Sequence, residues 1–121
     1  MATPNLINVD TITPVTNVLA VTTSRVAIID VAAEYVAKVN TLIIANIDGS
    51  SAADITVEIS INNGSAYFPI ASTISVPADS SLSLIGKDNG FYLDETDLLT
   101  ITASAAGDLV ATVSFDLMKD A

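Results

Sequence analysis

The stretch LLTITASAAGDLVATVSFDL (residues 98–117) decides the fold. In its first half Leu99, Ile101 and Ala103 alternate with Thr100, Thr102 and Ser104. Ala106-Gly107-Asp108 then turns the chain. In its second half Leu109, Ala111, Val113, Phe115 and Leu117 alternate with Val110, Thr112, Ser114 and Asp116. Successive side chains of a strand point to opposite faces, so this period of two gives each run one face for a core and one for water. The ending therefore reads as two β-strands.

The same signature recurs upstream. Ile55, Val57, Ile59 and Ile61 alternate with Thr56, Glu58, Ser60 and Asn62. Asn63-Gly64 follows, the strongest hairpin signal in the chain, and leads into Ala66-Tyr67-Phe68-Pro69-Ile70. Pro69 has no N–H for a ladder, so its strand is expected at a sheet edge or ending there. The run 36–47 holds Leu42-Ile43-Ile44, apolar on both faces, which points to a central strand or one facing a partner. Asp48-Gly49 marks a turn after it. Shorter strands are expected over 17–22 and 26–31, around Thr23-Ser24-Arg25. Others are expected at 73–76, at Leu82 and Leu84, and at Phe91-Tyr92-Leu93 after the Lys87-Asp88-Asn89-Gly90 turn. The run 34–38 reads either as a helical turn or as the start of the long strand.

Strands this short, with turns every ~8–12 residues, are the pattern of an all-β fold. The expected architecture is a single antiparallel β-sandwich of about eight strands over residues 15–121. Residues 1–14 read as an extended N-terminal arm with Pro4 and Pro14. The arm reads either as a frayed terminus or as a segment ordered by a neighbour, the latter because Leu6, Ile7, Val9 and Ile12 are costly to leave in water.

Composition limits the chemistry. The 121 residues include no His, Cys or Trp, and half are apolar. Mean hydropathy is +0.58. A nucleophilic Ser needs a base, normally His, and neither His nor a thiol is present. Asp94, Glu95 and Asp97 form the only acidic cluster, in a turn, without the aromatic platform a glycosidase site uses. Asp48, Asp54, Asp88, Asn89, Asp94, Glu95 and Asp97 offer oxygen ligands, but no stretch has the spacing of an EF-hand loop. No catalytic residue, cofactor or metal is expected. Arg25, Lys38, Lys87 and Lys119 are the only cations against a net charge of −10, which excludes phosphate-dependent nucleic-acid binding and disfavours anionic membranes. The first ten residues have neither the basic nor the hydrophobic region of a signal peptide. Tyr67 and Tyr92 are candidate surface aromatics, while Phe68 and Phe91 at strand positions read as core.

The runs YVAKVNTLIIANIDGSSAADITVEIS and GSAYFPIASTISVPADSSLSLIGKDNGFYLDETDLLTITASAAGDLVATVSF carry a resemblance. Its features are Ala45-Asn46 before a small-residue loop, the Ala66-Tyr67 hairpin arm and Val76-Pro77-Ala78-Asp79. The turn Tyr92-Leu93-Asp94-Glu95 and the strand that ends in Ser104-Ala105-Ala106-Gly107 complete them. Over residues 36–117 the chain resembles a small β-sandwich structural module of tailed-bacteriophage virions. The resemblance implies a non-enzymatic virion protein assembled in the host cytoplasm, most like a head decoration or cement protein bound to the major capsid protein or other virion proteins. It would act as a homo-oligomer, a trimer being favoured. A tail, neck or fibre position is the alternative within the virion. A carbohydrate-binding or adhesive module using Tyr67 and Tyr92 is the alternative from another class. The expected partner-binding residues are Leu6, Ile7, Val9, Ile12, Tyr67 and Tyr92.

Overall fold

The structure, a computed structural model, describes residues 9–61 and 64–120. Among them the chain forms nine strands: β1 (Val9–Ala20), β2 (Val26–Asp30), β3 (Tyr35–Asn46), β4 (Ala53–Ile61), β5 (Ala66–Val76), β6 (Ser81–Ile85), β7 (Phe91–Leu93), β8 (Leu98–Ala103) and β9 (Leu109–Asp120). One 3₁₀ turn, Lys87–Asn89, lies between β6 and β7. The first sheet runs β1-β9-β3-β6, with β7 also on β3, and the second runs β2-β8-β4-β5. Every pairing is antiparallel.

The pairings are nested. The first strand pairs with the last, β2 with β8, β3 with β6 and β7, and β4 with β5. β6 and β7 occupy different stretches of one side of β3 and act as a single broken strand. A chain doubled into one long hairpin and then rolled gives this order, which is that of an eight-stranded jelly roll.

The alternating residues of residues 98–117 fall where their period requires. Leu99, Ile101, Leu109, Ala111 and Val113 are buried between the sheets, and Val39, Leu42, Ile44, Ile55 and Val57 meet them there. In Leu42-Ile43-Ile44 the outer two residues are buried and Ile43 points out, 41% exposed. β3 is a central strand, as expected, and leaves Ile43 on its outer face.

The predicted arm divides. Val9–Pro14 form the first half of β1 and pair with β9 of the same chain, while Leu6 and Ile7 lie outside the described residues. Glu34 has a left-handed φ of 71° and ends the preceding loop, so Tyr35 opens β3 and no helical turn forms. The separate strands expected at 66–70 and 73–76 are one strand, β5, kinked by a bulge. There Ser72 and Thr73 stand opposite Thr56, Thr73 has a φ of 47°, and its N–H donates to Thr56 Oγ1 at 3.1 Å. Pro69 lies in β5, an edge strand, as its missing N–H requires.

Gly90 is required by close approach. A Cβ there would stand 2.5 Å from the Val39 carbonyl oxygen, a backbone atom that cannot swing aside. Thr96 is the opposite case. It holds a φ of 69° at the third position of a turn closed by Asp97 N–H donating to Asp94 O at 3.1 Å. A β-branched residue is strained there. Thr96→Gly is expected to raise stability by about 1 kcal/mol, read by urea denaturation, after allowing for the freer unfolded chain.

Candidate interaction surface

Cross-strand partners in an antiparallel pair share a face, so the register maps each surface. On the outside of the first sheet, Ile12 aligns with Met118 and Val36, and Pro14 with Asp116, Lys38 and Tyr92. The next rungs are Thr16 with Ser114 and Thr41, Val18 with Thr112, Ile43 and Ser83, then Ala20 with Val110, Ala45 and Ser81. Across these rungs the charged residues are Lys38 and Asp116. Ile12, Val18 and Tyr92 are each more than half exposed, with Ile43 between them. The Lys38 ammonium lies 5.6 Å from the Tyr92 ring centroid and leaves much of that ring open.

The outside of the second sheet is different. Asp54 aligns with Ser75, Thr56 with Thr102, Glu58 with Thr100 and Ala27, and Ser60 with Leu98 and Asp30. Arg25 bridges Glu58 at 2.8 Å and its guanidinium stacks 3.8 Å from the Tyr67 ring centroid. This face is polar, with one stacked ion pair and with Ser60 and Thr100 buried on it, and Tyr67 is a half-buried element of it.

The expected partner-binding residues therefore separate. Ile12 and Tyr92 lie on one face, with Val9 at the start of the same strand. Tyr67 belongs to the opposite sheet under Arg25, so Tyr67 and Tyr92 form no common aromatic platform. Phe68, expected in the core, is 56% exposed: its register partner Ile59 points inward, but no strand lies beyond β5 to cover it. Phe91 is the core-packing aromatic of β7. Sequence reasoning missed Val18 and Ile43 as surface groups, because a strand period does not say which face is outermost.

The loops at the ends are built for structure. At one end Asn46, 4% exposed, donates from Nδ2 to Ser51 O at 3.0 Å and Val76 O at 2.9 Å, and its Oδ1 accepts from Asp48 N–H at 2.9 Å. Around it Asn46 N–H donates to Ser80 O, Ile47 N–H to Asp108 O and Asp79 N–H to Asp48 O. The buried amide thus ties the β3–β4 connection to the end of β5, and backbone bonds add the β5–β6 and β8–β9 connections. At the other end Glu95 is 7% exposed and its Oε2 accepts from Glu34 N–H at 2.6 Å, while Thr96 N–H donates to Val31 O. Asp97 Oδ2 accepts from Asp94 N–H, and Asp94 Oδ1 from Glu95 N–H. These acids close a turn and dock it on the 31–34 loop. Among the described residues no group of three His, Cys, Asp or Glu is placed to hold a metal ion.

No family model and no curated protein matches the chain. Solved structures do, remotely. A pentameric capsid protein isolated from metagenomic phage sequences aligns at 18% identity, over 95% of this chain and 64% of that one, with a TM-score of 0.40. This chain thus spans less than two thirds of that protein. The Drosophila NLP core, a structure concerned with pentamer formation and histone binding, aligns at 15% identity over 87% of this chain and 96% of that one, with a TM-score of 0.46. A Bacillus endospore appendage protein, from a family of disulfide-linked pili, aligns at 13% identity over 93% and 88%, with a TM-score of 0.45. None of these likenesses assigns a function to this chain.

Proposed function

We propose that this chain is a non-enzymatic structural protein of a tailed-phage virion, a decoration or cement protein that lies on the outer head shell. The observation that carries the reading is the difference between the two outer faces. The second sheet carries exposed Asp30, partly exposed Asp54 and the Arg25–Glu58 ion pair. The first presents Ile12, Val18, Ile43 and Tyr92, with Lys38 and Asp116 as the charged residues of its aligned rungs. A sheet face that carries several exposed apolar side chains and few charges is a candidate contact surface. A flat sheet face suits a broad, shallow partner such as a shell of capsid subunits. The resemblance of residues 36–117 to the virion module and the jelly-roll order, a fold used in viral capsids among other roles, support the same reading by analogy.

The mechanism is burial of that face across joints between capsid subunits, at about 25 cal/mol per Å² of apolar area before ordering costs are subtracted. Many copies on one particle then add avidity. Leu6, Ile7, Val9 and Ile12 are the apolar groups of the N-terminal stretch proposed to meet a neighbour, and a small cyclic oligomer, a trimer by preference, matches a symmetric shell. Removal of residues 2–8 is expected to weaken head binding several-fold, with circular dichroism verifying that the sandwich still folds.

Copy number tests the assignment. Quantitative mass spectrometry of the purified particle should find the chain in a fixed, high ratio to the major capsid protein. A ratio matching tail, neck or fibre parts would move it to that position. Its absence from the particle would end the virion reading and leave the adhesive alternative.

A further inference from the structure

The two flanks of the sandwich carry an inference about self-assembly, made without reference to any shell. One flank is formed by β5 and β6, edge strands of opposite sheets, and the other by β1 and β2. Edge strands that must stay apart are normally guarded by charge. This chain has 14 acidic residues to place, yet Thr11–Ser24, Ile59–Ala78 and Ser80–Gly86 contain no charged residue at all. These stretches include nearly all of β1, all of β5 and all of β6.

The flanks are apolar as well as poor in charge: β5 and β6 carry none, while β1 and β2 carry Asp10 and Asp30 near their ends, with Arg25 just before β2. Phe68 and Ile74 pair with Ile59 and Ile55, so both lie on the inner face of the second sheet, yet they are 56% and 40% exposed. Ile70 between them is 43% exposed. Leu82 and Leu84 of β6 are only partly covered. On the far flank Val18 is 64% exposed, with Val15 and Leu19 half-buried beside it. Each flank also carries a block to strand pairing: Pro14 in β1, and Pro69 with the Ser72-Thr73 bulge in β5. The ladder is closed to a newcomer while the side chains remain open to one.

We propose that these flanks bind each other between copies, the β5–β6 flank of one chain seating on the β1–β2 flank of the next. The occupant is a second copy because of the charge pattern. Two chains of net charge −10 repel, and close approach is least opposed where both surfaces carry little charge, as β5, β6 and nearly all of β1 do. A cationic partner would be drawn to the acidic loops, not to these strips. The contact is head-to-tail because the two flanks differ and lie on opposite sides. A two-fold dimer through either would leave the other uncovered, whereas a closed ring covers both.

The test is the mass of the free protein in solution, by analytical ultracentrifugation at low and at high salt. Expected is a defined multiple of 12.5 kDa that is favoured by salt, which screens the repulsion but spares the apolar contact. Phe68→Asp and Val18→Asp should each reduce the mass to that of one chain. Mixing the two variants should restore a two-chain species and nothing larger, since each then contributes one intact flank. Thermal unfolding by circular dichroism verifies that the variants fold, and Ile70→Asp and Thr16→Asp replace either one that does not. A wild-type protein that stays monomeric at both salt concentrations overturns the proposal. So does a Val18→Asp variant that assembles like the wild type, which would mean a two-fold contact through β5. These readouts need no phage head, so this contact can fail while the shell-binding reading stands, and the reverse.

Discussion

Ile44→Asp should abolish the fold, while Ile43→Asp, one residue away, should leave it standing and remove partner binding. Ile44 is fully buried against Leu82 and Ala111 at the centre of the first sheet. A carboxylate there has no partner and no water. The cost of burying it is comparable with the whole stability of a small domain, about 5–15 kcal/mol. No cooperative unfolding transition should remain at neutral pH. Ile43 aligns with Thr112 and Ser83 on the outer face and is 41% exposed. An aspartate at that position sits in water, and only strand propensity and partial packing are lost, about 1 kcal/mol. On assembled heads the same carboxylate would be pressed against the shell, so binding should fall by at least tenfold. Stable folding of Ile44→Asp would reverse the assignment of faces, and unimpaired binding by Ile43→Asp would remove this face from the interface.

Asn46→Ala should cost about 3 kcal/mol and lower the melting temperature by about 10 °C. The side chain makes three hydrogen bonds, to Ser51 O, Val76 O and Asp48 N–H, from a position 4% exposed. Each contributes about 1 kcal/mol, and the buried Val76 carbonyl loses a partner that water cannot readily replace. Asn46→Asp should be no better, because it loses both donated bonds and adds a charge near Asp48 and Asp79. Calorimetry of the two variants reads the effect directly. A loss under about 1 kcal/mol would mean that the loops hold one another without the amide.

The class of the fold was legible because period-two alternation is a local property: β4, β8 and β9 lie where the pattern puts them. The edge position of β5 followed from Pro69, and the central position of β3 from Leu42-Ile43-Ile44. Strand order was not legible, for a physical reason. In this topology only β4 and β5 are consecutive strands that pair with each other, across the Asn63-Gly64 signal. The turns at Thr23-Ser24-Arg25, Asp48-Gly49 and Ala106-Gly107-Asp108 carry the chain from one sheet to the other, although their residues look like those of hairpins. A turn signal says that the chain reverses, not which strand it returns to.

The candidate surface was legible only in part. Ile12 and Tyr92, named from the sequence as an arm residue and a surface aromatic, are exposed on the first sheet. Tyr67 looked equivalent, but Arg25, distant in sequence, covers its ring. Phe68 looked like core because its neighbours alternate, and it does point inward. Its exposure follows from the missing strand beyond β5, which nothing local encodes.

A cryo-EM reconstruction of the decorated head tests the account most directly. The outer face of the first sheet should lie against capsid subunits, with Ile43 and Tyr92 at the contact, and the Arg25–Glu58 face of the second sheet should point to solvent. The opposite orientation, or density for this chain confined to the tail, would contradict it.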